Sequence, residues 1–399
     1  MNPSRLAVKL SAVGERNVKQ AHPWIFSDSI IKVNKEGNSG DIAIIFSHKK
    51  NTVLGIGLYD PDSPIRIKML HSGGGATIDR EFFSEKINKA YTLRIPLLET
   101  NTNSYRLLFG ENDGFPGFIA DVYNKVMVVK LYSAIWFPYL ETILTVLTEV
   151  ISCECIVLRL SRGLQLKEKS HGFTEGQLIY GTLENEVVPF IEHGVHFSAN
   201  VIKGHKTGYF LDHRHNRKRV GDFAKGKTVL DIFSYAGGFS VHALANGARA
   251  VTSVDISKQA LELALENGKL NSYSGEHHTI AGDAFEIMRQ LISKGKRFDL
   301  VVIDPPSFAK SKAEIEKAKK KYRELAQLGT KLTAKGGILL LASCSSRVMA
   351  SEFFDINEQA LNEQSRMFEI LETTQHDIDH PITFKEGAYL KTGYYHFIN

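Results

Sequence analysis

Apolar positions along the first 73 residues fall in short runs broken by glycine, proline, asparagine and aspartate: Leu6 to Leu10, Ile30 to Val33, Asp41 to Phe46, Val53 to Tyr59 and Ile65 to Leu70. Runs this short and closely spaced predict the strands of a small barrel, and Ser72-Gly73-Gly74-Gly75 after them reads as a flexible joint. The pattern changes at Arg80, where Phe82, Phe83, Ile87, Ala90 and Tyr91 recur at helical spacing behind Asp79 as a cap, predicting a helix to about Arg94. Strand-like runs over Arg106 to Phe109, Phe118 to Val122 and Val126 to Leu131, a helix from about Pro138 to Val150 and a strand over Cys155 to Leu160 make this stretch mixed α+β as far as Val187 to Val195.

Beyond Phe210 strands and helices alternate. Strands are expected over Thr228 to Phe233, Ala250 to Asp255, Thr279 to Ala281, Phe298 to Ile303 and Gly337 to Ala342, with helices over Gly238 to Asn246, Ser257 to Asn271, Ala284 to Lys294 and Lys312 to Leu332. That alternation predicts an α/β, doubly wound parallel sheet of the Rossmann-like kind, which takes ligands at the carboxyl ends of its strands where their order reverses. The expected organisation is therefore a barrel over 1–74, an α+β middle part over 75–195 and an α/β domain over 196–399.

Composition narrows the class. Among 399 residues, 43% hydrophobic and 23% charged exclude a disordered or fibrous chain. An excess of 49 basic over 44 acidic side chains permits an anionic partner without demanding one. Three cysteines, Cys153, Cys155 and Cys344, are too few for a disulfide framework and suit reduced thiols in the cytoplasm. Met1 to Val13 carries Arg5 and Lys9 inside its apolar stretch, unlike a signal peptide, and no run approaches the roughly 18 apolar residues of a bilayer span, so no membrane partner is expected.

The first strand of the alternating part runs into Asp231-Ile232-Phe233-Ser234-Tyr235-Ala236-Gly237-Gly238-Phe239-Ser240. Glycines at a strand-to-helix turn let a ligand approach the backbone, and an acid at the next strand's end, Asp255, is placed to accept both hydroxyls of a ribose. The spacing is not the Gly-x-Gly-x-x-Gly that cradles a pyrophosphate, so S-adenosylmethionine suits the loop better than a dinucleotide, although a purely structural turn would look similar. Asp283, in Ala281-Gly282-Asp283-Ala284, would accept from an adenine amino group or cap the following helix, and the two roles are compatible.

Asp304-Pro305-Pro306-Ser307-Phe308 closes the fourth strand. Two prolines stiffen the chain where a target base would be held and Phe308 offers a stacking face, while the same pair elsewhere is ordinary punctuation. Ser343-Cys344-Ser345 ends the next apolar run, Ile338 to Ala342. A cysteine in such a place is usually a small hydrophobe. Carbon 5 of a pyrimidine, however, is too weak a nucleophile to take a methyl group unless a thiolate first adds at carbon 6, whereas an exocyclic amine needs no thiol. A cysteine opposite an Asp-Pro pair thus favours pyrimidine carbon 5. Cys153 and Cys155, without a second pair or nearby histidines, read as core filling, and no metal site is expected.

Two basic runs flank these motifs. Lys203, Lys206, Arg214, Arg217, Lys218 and Arg219 are opposed only by Asp212 and interleaved with His205, Tyr209, Phe210, His213 and His215. From Lys310 to Arg323 seven lysines or arginines face two glutamates. A solvated helix face is the default for such runs, and their position beside the proposed pocket favours a grip on RNA phosphates.

With these motifs in hand, the chain resembles the bacterial ribosomal RNA large-subunit methyltransferase I family, which forms 5-methylcytosine. Gly14-Glu15-Arg16 with His22-Pro23-Trp24-Ile25-Phe26-Ser27 resembles that family's PUA domain, an RNA-binding barrel, and Gly110-Glu111-Asn112-Asp113-Gly114-Phe115-Pro116-Gly117 is similar to its central signature. Gly204-His205-Lys206-Thr207-Gly208-Tyr209-Phe210-Leu211-Asp212 resembles the segment that leads into its catalytic domain, and Asp379-His380-Pro381 with Glu386-Gly387-Ala388-Tyr389-Leu390-Lys391 its closing signature. Departures are Ser307, where a lysine is common, and His213 and His215 in place of other polar or acidic residues.

The resemblance implies cofactor contacts from Tyr209, Phe210, Phe233, Ser234, Tyr235, Ala236, Gly237, Gly238, Asp255, Ile256, Asp283, Ala284 and Asp304, and catalysis by Cys344 with Asp304. RNA contacts are expected from Lys206, Arg214, Arg217, Lys218, Phe308, Lys310 and Lys312. The expected activity is S-adenosylmethionine-dependent methylation of carbon 5 of a cytosine in ribosomal RNA, either naked 23S RNA or a large-subunit precursor, and a homodimer is compatible with it. An exocyclic-amine methyltransferase acting on guanine or adenine, and an inactive RNA-binding assembly factor, are the alternatives.

Overall fold

A computed structural model describes residues 3–399. The chain divides into two compact units that alternate along the sequence. One takes the chain up to Phe190 with Ala199–Leu211 and Ile378–Lys385, and the other takes Ile191–Ser198, Asp212–Asp377 and Glu386–Asn399.

The first unit contains two separate sheets, on either side of the joint expected near residue 74. Strands Trp24–Phe26, Ile65–Ser72, Val53–Tyr59, Ile42–Phe46, Arg5–Leu10 and Ile30–Val33 pair in that spatial order, and alternate residues Leu6, Val8 and Leu10 join Ala43, Ile45 and Ile67 in one core. Helix Ala12–Lys19, which its polar composition hid, starts where Ser11 Oγ accepts from Gly14 N–H at 3.3 Å. The second sheet orders Gln177–Gly181, Cys155–Leu160, Val126–Leu131, Phe118–Tyr123 and Ser104–Phe109, with Trp136 buried in its core. The predicted helix runs further than expected, over Arg80–Leu98. The boundary expected at 195 falls inside a two-stranded ladder, Val187–Glu192 with Val195–Asn200, whose hydrogen bonds carry the chain across it.

The second unit is built on seven strands: β1 Thr228–Ile232, β2 Ala250–Asp255, β3 Glu276–Ala281, β4 Phe298–Ile303, β5 Thr333–Ser343, β6 Phe368–Thr374 and β7 Lys391–Phe397. Their order is β3-β2-β1-β4-β5-β7-β6. Five strands are parallel, as the alternation predicts, while β7 lies antiparallel between β5 and β6. The sheet is wound on both faces. Leu230, Val301, Ile303, Leu339 and Leu341 pack on one side with the helices Ala284–Ser293, Ile315–Leu332 and Ala350–Asn362, and their neighbours Val229, Leu300, Val302, Ile338 and Leu340 pack on the other with Arg214–Ala224 and Gly238–Ala245. Strand order reverses between β1 and β4, which opens a crevice at their carboxyl ends. No helix among the described residues is long and apolar enough to cross a membrane.

Candidate active site

The loop leaving β1 is forced into a tight path. Phe233 and Tyr235 have φ of 65° and 47°, a region that costs non-glycine residues, and Gly237 follows at φ 76° as the cap of helix Gly238–Ala245. A Cβ on Gly237 would stand 2.7 Å from Ala264 Cβ, so the glycine is required by conformation and by close packing alike. The loop is tied to β2 by Ser234 N–H donating to Val254 O at 3.0 Å and Tyr235 N–H donating to Asp255 Oδ2 at 3.0 Å. Beneath it Asp231 is fully buried, accepts from Ser240 N–H and Oγ–H, and is pushed up to about 7, chiefly by burial.

At the end of β2, Asp255 Oδ1 accepts from Ser257 N–H at 2.9 Å, so each carboxylate oxygen holds one backbone donor and keeps a second acceptor site. Ile256 beside it is exposed, an apolar side chain left open at the strand end. Asp283 does cap: its Oδ1 accepts from Glu286 N–H at 3.1 Å at the start of Ala284–Ser293. The cradle fits an adenosyl ligand. Among the described residues Ser234 Oγ is buried with no partner, and the acids ending β2 and β3 retain unused acceptor sites.

The carboxyl ends of β4 and β5 bring together Asp304, Pro305 and Cys344. Cys344 Sγ donates to Pro305 O at 3.7 Å, which sets the thiol against the Asp-Pro segment. Burial first, and then the Asp304 and Asp212 carboxylates, push this thiol up to about 12, with Lys391 pulling against them. Ser343 Oγ donates to Tyr322 Oη at 2.9 Å and accepts from Ser345 N–H, fixing the turn that carries Cys344.

His213 is the residue whose role the sequence left open. Its Nε2 lies 3.2 Å from Asp304 Oδ1. Asn216 accepts hydroxyl protons from Thr374 and Tyr394 on Oδ1, which turns its Nδ2 toward His213 Nδ1 at 3.1 Å and leaves the neutral ring's proton on Nε2, facing Asp304. Burial opposes the imidazolium, but the Asp304 carboxylate outweighs it and raises His213 above its ordinary value. Tyr389 Oη donates to Asp212 Oδ2 at 2.9 Å in the same unit. No sequence pattern points to Asn216 or Tyr322, while Tyr389 stands in the closing signature without a role assigned to it.

The first basic run is corrected by the structure. Arg217 is buried and clamps Glu192 with two hydrogen bonds of 2.7 Å, while His242 Nε2 stands 2.9 Å from the same carboxylate. Arg214 is buried too, and donates to Asp377 Oδ2 at 2.9 Å. Neither guanidinium faces solvent, so both hold the fold together rather than contact RNA. Lys218 is exposed but paired with Asp222. Lys310 and Lys312 are exposed, and Phe308 packs on Tyr322 and Phe285 with the Lys321 ammonium 4.6 Å over its ring. Lys206, Tyr209 and Phe210 belong to the first unit, where Tyr209 packs edge-on to Phe190 and its backbone exchanges hydrogen bonds with Tyr123 Oη.

The profile of the S-adenosylmethionine-dependent methyltransferase family matches residues 106–386, and that of the PUA-like domain residues 8–72. The ribosomal RNA large subunit methyltransferase of Deinococcus radiodurans is 40% identical, over 97% of this chain and 96% of its own. Ribosomal RNA large subunit methyltransferase I of Shewanella frigidimarina is 34% identical, over 97% of this chain and 98% of its own. A solved S-adenosylmethionine-dependent methyltransferase from Streptococcus mutans superposes with TM-score 0.81 at 21% identity, covering 98% of this chain and 99% of that one. A methyltransferase crystallised with S-adenosylhomocysteine gives TM-score 0.82 at 21% identity over 98% and 100% of the two chains. These last two likenesses are of fold.

Proposed function

The chain belongs to the ribosomal RNA large-subunit methyltransferase I family of S-adenosylmethionine-dependent enzymes, and we propose that it methylates carbon 5 of a cytosine in large-subunit ribosomal RNA through a covalent adduct to Cys344. The observation that carries this reading is the Cys344 thiol held against Pro305 O, beside Asp304, at the carboxyl ends of adjacent strands β4 and β5.

Phe233 to Gly238, Asp255 and Asp283 would hold the cofactor, with Ile256 and Ala284 completing its surroundings. S-adenosylmethionine supplies an electrophilic methyl group when bound. The chain's own residues make the base nucleophilic. Cys344, once its proton is lost, adds through sulfur to carbon 6, and the displaced ring electrons pass to N3, which takes a proton from water and is held in that protonated form by a hydrogen bond to the Asp304 carboxylate. His213 at Asp304 Oδ1 orients that carboxylate toward the base. After carbon 5 gains the methyl group, loss of its proton returns electrons to the ring, breaks the carbon–sulfur bond and frees the thiolate. Pro305 and Pro306 stiffen the segment that must hold an unstacked base.

Exposed Lys310 and Lys312, with Lys321 over Phe308, offer an edge of positive charge for the RNA backbone, and the Arg214 and Arg217 contacts expected from sequence drop out of that set. Three free thiols suit a cytoplasmic enzyme. The test is incubation with ribosomal RNA carrying 5-fluorocytidine and S-adenosylmethionine. The wild type should be trapped on the RNA and Cys344→Ala should not; no trapping, or trapping that survives Cys344→Ala, overturns the mechanism. Nucleoside analysis finding methylated guanine or adenine would point to the amine chemistry instead.

A further inference from the structure

Lys391 opens β7, and its Cα is paired across the ladder with Ser343, the residue before Cys344. Its side chain is 3% exposed, yet among the described residues no carboxylate lies within ion-pair distance. Instead Nζ donates to three carbonyls: Ser345 O, Val348 O at 2.6 Å and Tyr389 O at 3.2 Å. Three acceptors match the three N–H bonds of an ammonium, whereas a neutral amine has only two to give. Two of those carbonyls belong to the turn that follows Cys344. A buried cation without a counter-anion is costly, and a fold that keeps one gains from a neighbour that becomes anionic.

We propose that Lys391 is a positioning residue for the nucleophile, clamping the Ser345–Val348 turn and serving as the counter-charge of the Cys344 thiolate. Ionisation sends the thiol proton to bulk water and leaves on sulfur the electron pair that later bonds carbon 6. The other groups facing Cys344 are the Asp304 and Asp212 carboxylates, which oppose its ionisation, and the Tyr322 hydroxyl; Glu352 faces Lys391 but is itself bound to Lys319. Burial pulls Lys391 down to about 8, so it remains protonated at neutral pH.

The inference rests on Cys344 as nucleophile, and its test uses no RNA, so failure of either idea is separately visible. The rate of Cys344 alkylation by iodoacetamide is followed against pH in the full-length protein by peptide mass spectrometry. Lys391→Gln keeps two amide donors but no charge, and should slow the reaction at least about tenfold at pH 7, where Lys391 is protonated, with the difference shrinking above about pH 8 and S-adenosylmethionine affinity unchanged. Lys391→Arg should restore the wild-type rate at pH 7. A folded Lys391→Gln with the wild-type profile overturns the proposal.

Discussion

Replacing Arg217 with methionine separates a guanidinium that holds the fold from one that grips RNA, the role its place in a basic run suggested. Arg217 is 3% exposed and makes two hydrogen bonds of 2.7 Å to Glu192, which is itself fully buried. Arg217→Met keeps the length of the side chain and leaves Glu192 with His242 Nε2 at 2.9 Å. Removing one partner of a buried pair costs about 3–5 kcal/mol, because the remaining charge is stranded. For a unit of this size that corresponds to a fall in Tm of roughly 6–20 °C.

The pH dependence carries a sign. In the wild type, burial alone would raise Glu192, but Arg217 and then His242 overcome it and hold the carboxyl well below its ordinary value. A depressed carboxyl contributes stability that is present above the unfolded value near 4.5 and is lost on acidification. In Arg217→Met the carboxyl rises, so the penalty is largest near pH 8 and shrinks toward pH 5, where a proton on Glu192 or His242 relieves the stranded charge. Adding Glu192→Gln, which still accepts from His242, should recover at least half of the lost stability. Chemical denaturation at several pH values gives the stability, and filter binding of ribosomal RNA against salt gives the phosphate count. The folded variant should keep the wild-type salt slope. A Tm within about 1 °C of wild type, or a slope lowered by about 0.7–0.9, would refute the structural reading and return Arg217 to the RNA interface.

Two further perturbations address the cofactor loop. Gly237→Ala combines a positive φ with a 2.7 Å approach to Ala264 Cβ, so it should cost about 1–3 kcal/mol of stability and weaken S-adenosylmethionine binding at least tenfold by calorimetry; unchanged affinity would mean the loop is not the cofactor's cradle. Asp231 has its folded value raised, so the native state loses stability as pH climbs from the unfolded value toward about 7. Asp231→Asn removes that slope, and its stability relative to wild type should improve by about 2–3 kcal/mol between pH 5 and pH 8; a constant difference would show that the buried carboxyl does not titrate there.

The frame of the second unit was readable because its determinants are local. β2 and β4 appear at their expected limits, Ala250–Asp255 and Phe298–Ile303, since a buried parallel strand is a continuous apolar run bounded by polar turns. The chemistry-bearing loops inherit their places from those strands: once β1 and β4 are neighbours, Gly237, Asp255 and Asp304 fall at one edge of the sheet. The helix Arg214–Ala224 was not expected, and its buried positions explain the misplaced arginines. Arg214, Arg217, Val220, Gly221 and Ala224 form one stripe at helical spacing, so the two charges sit on the inward face. That spacing was present in the sequence, but a charge on an apolar stripe declares itself buried only when its partner is known, and Glu192 lies 25 positions away.

Lys391 poses the harder case. Its closeness to Cys344 depends on β7 entering antiparallel between β5 and β6, a non-local pairing that sets Lys391 opposite Ser343 across 48 positions of chain. No strand was expected over Lys391–Phe397, and its neighbours in the sheet are fixed by pairing with β5 and β6 rather than by any local pattern. The charges at the site follow the same logic. Asp304 and Asp212 raise the thiol that the reaction must ionise, and Lys391, which opposes them, comes from the last strand of the chain. A chain ending before β7 would retain the cofactor loop, the Asp-Pro motif and the cysteine in sequence, yet lose the group that makes the thiolate affordable. Lys391, the last residue of the closing signature, thus stands across the ladder from the residue before Cys344.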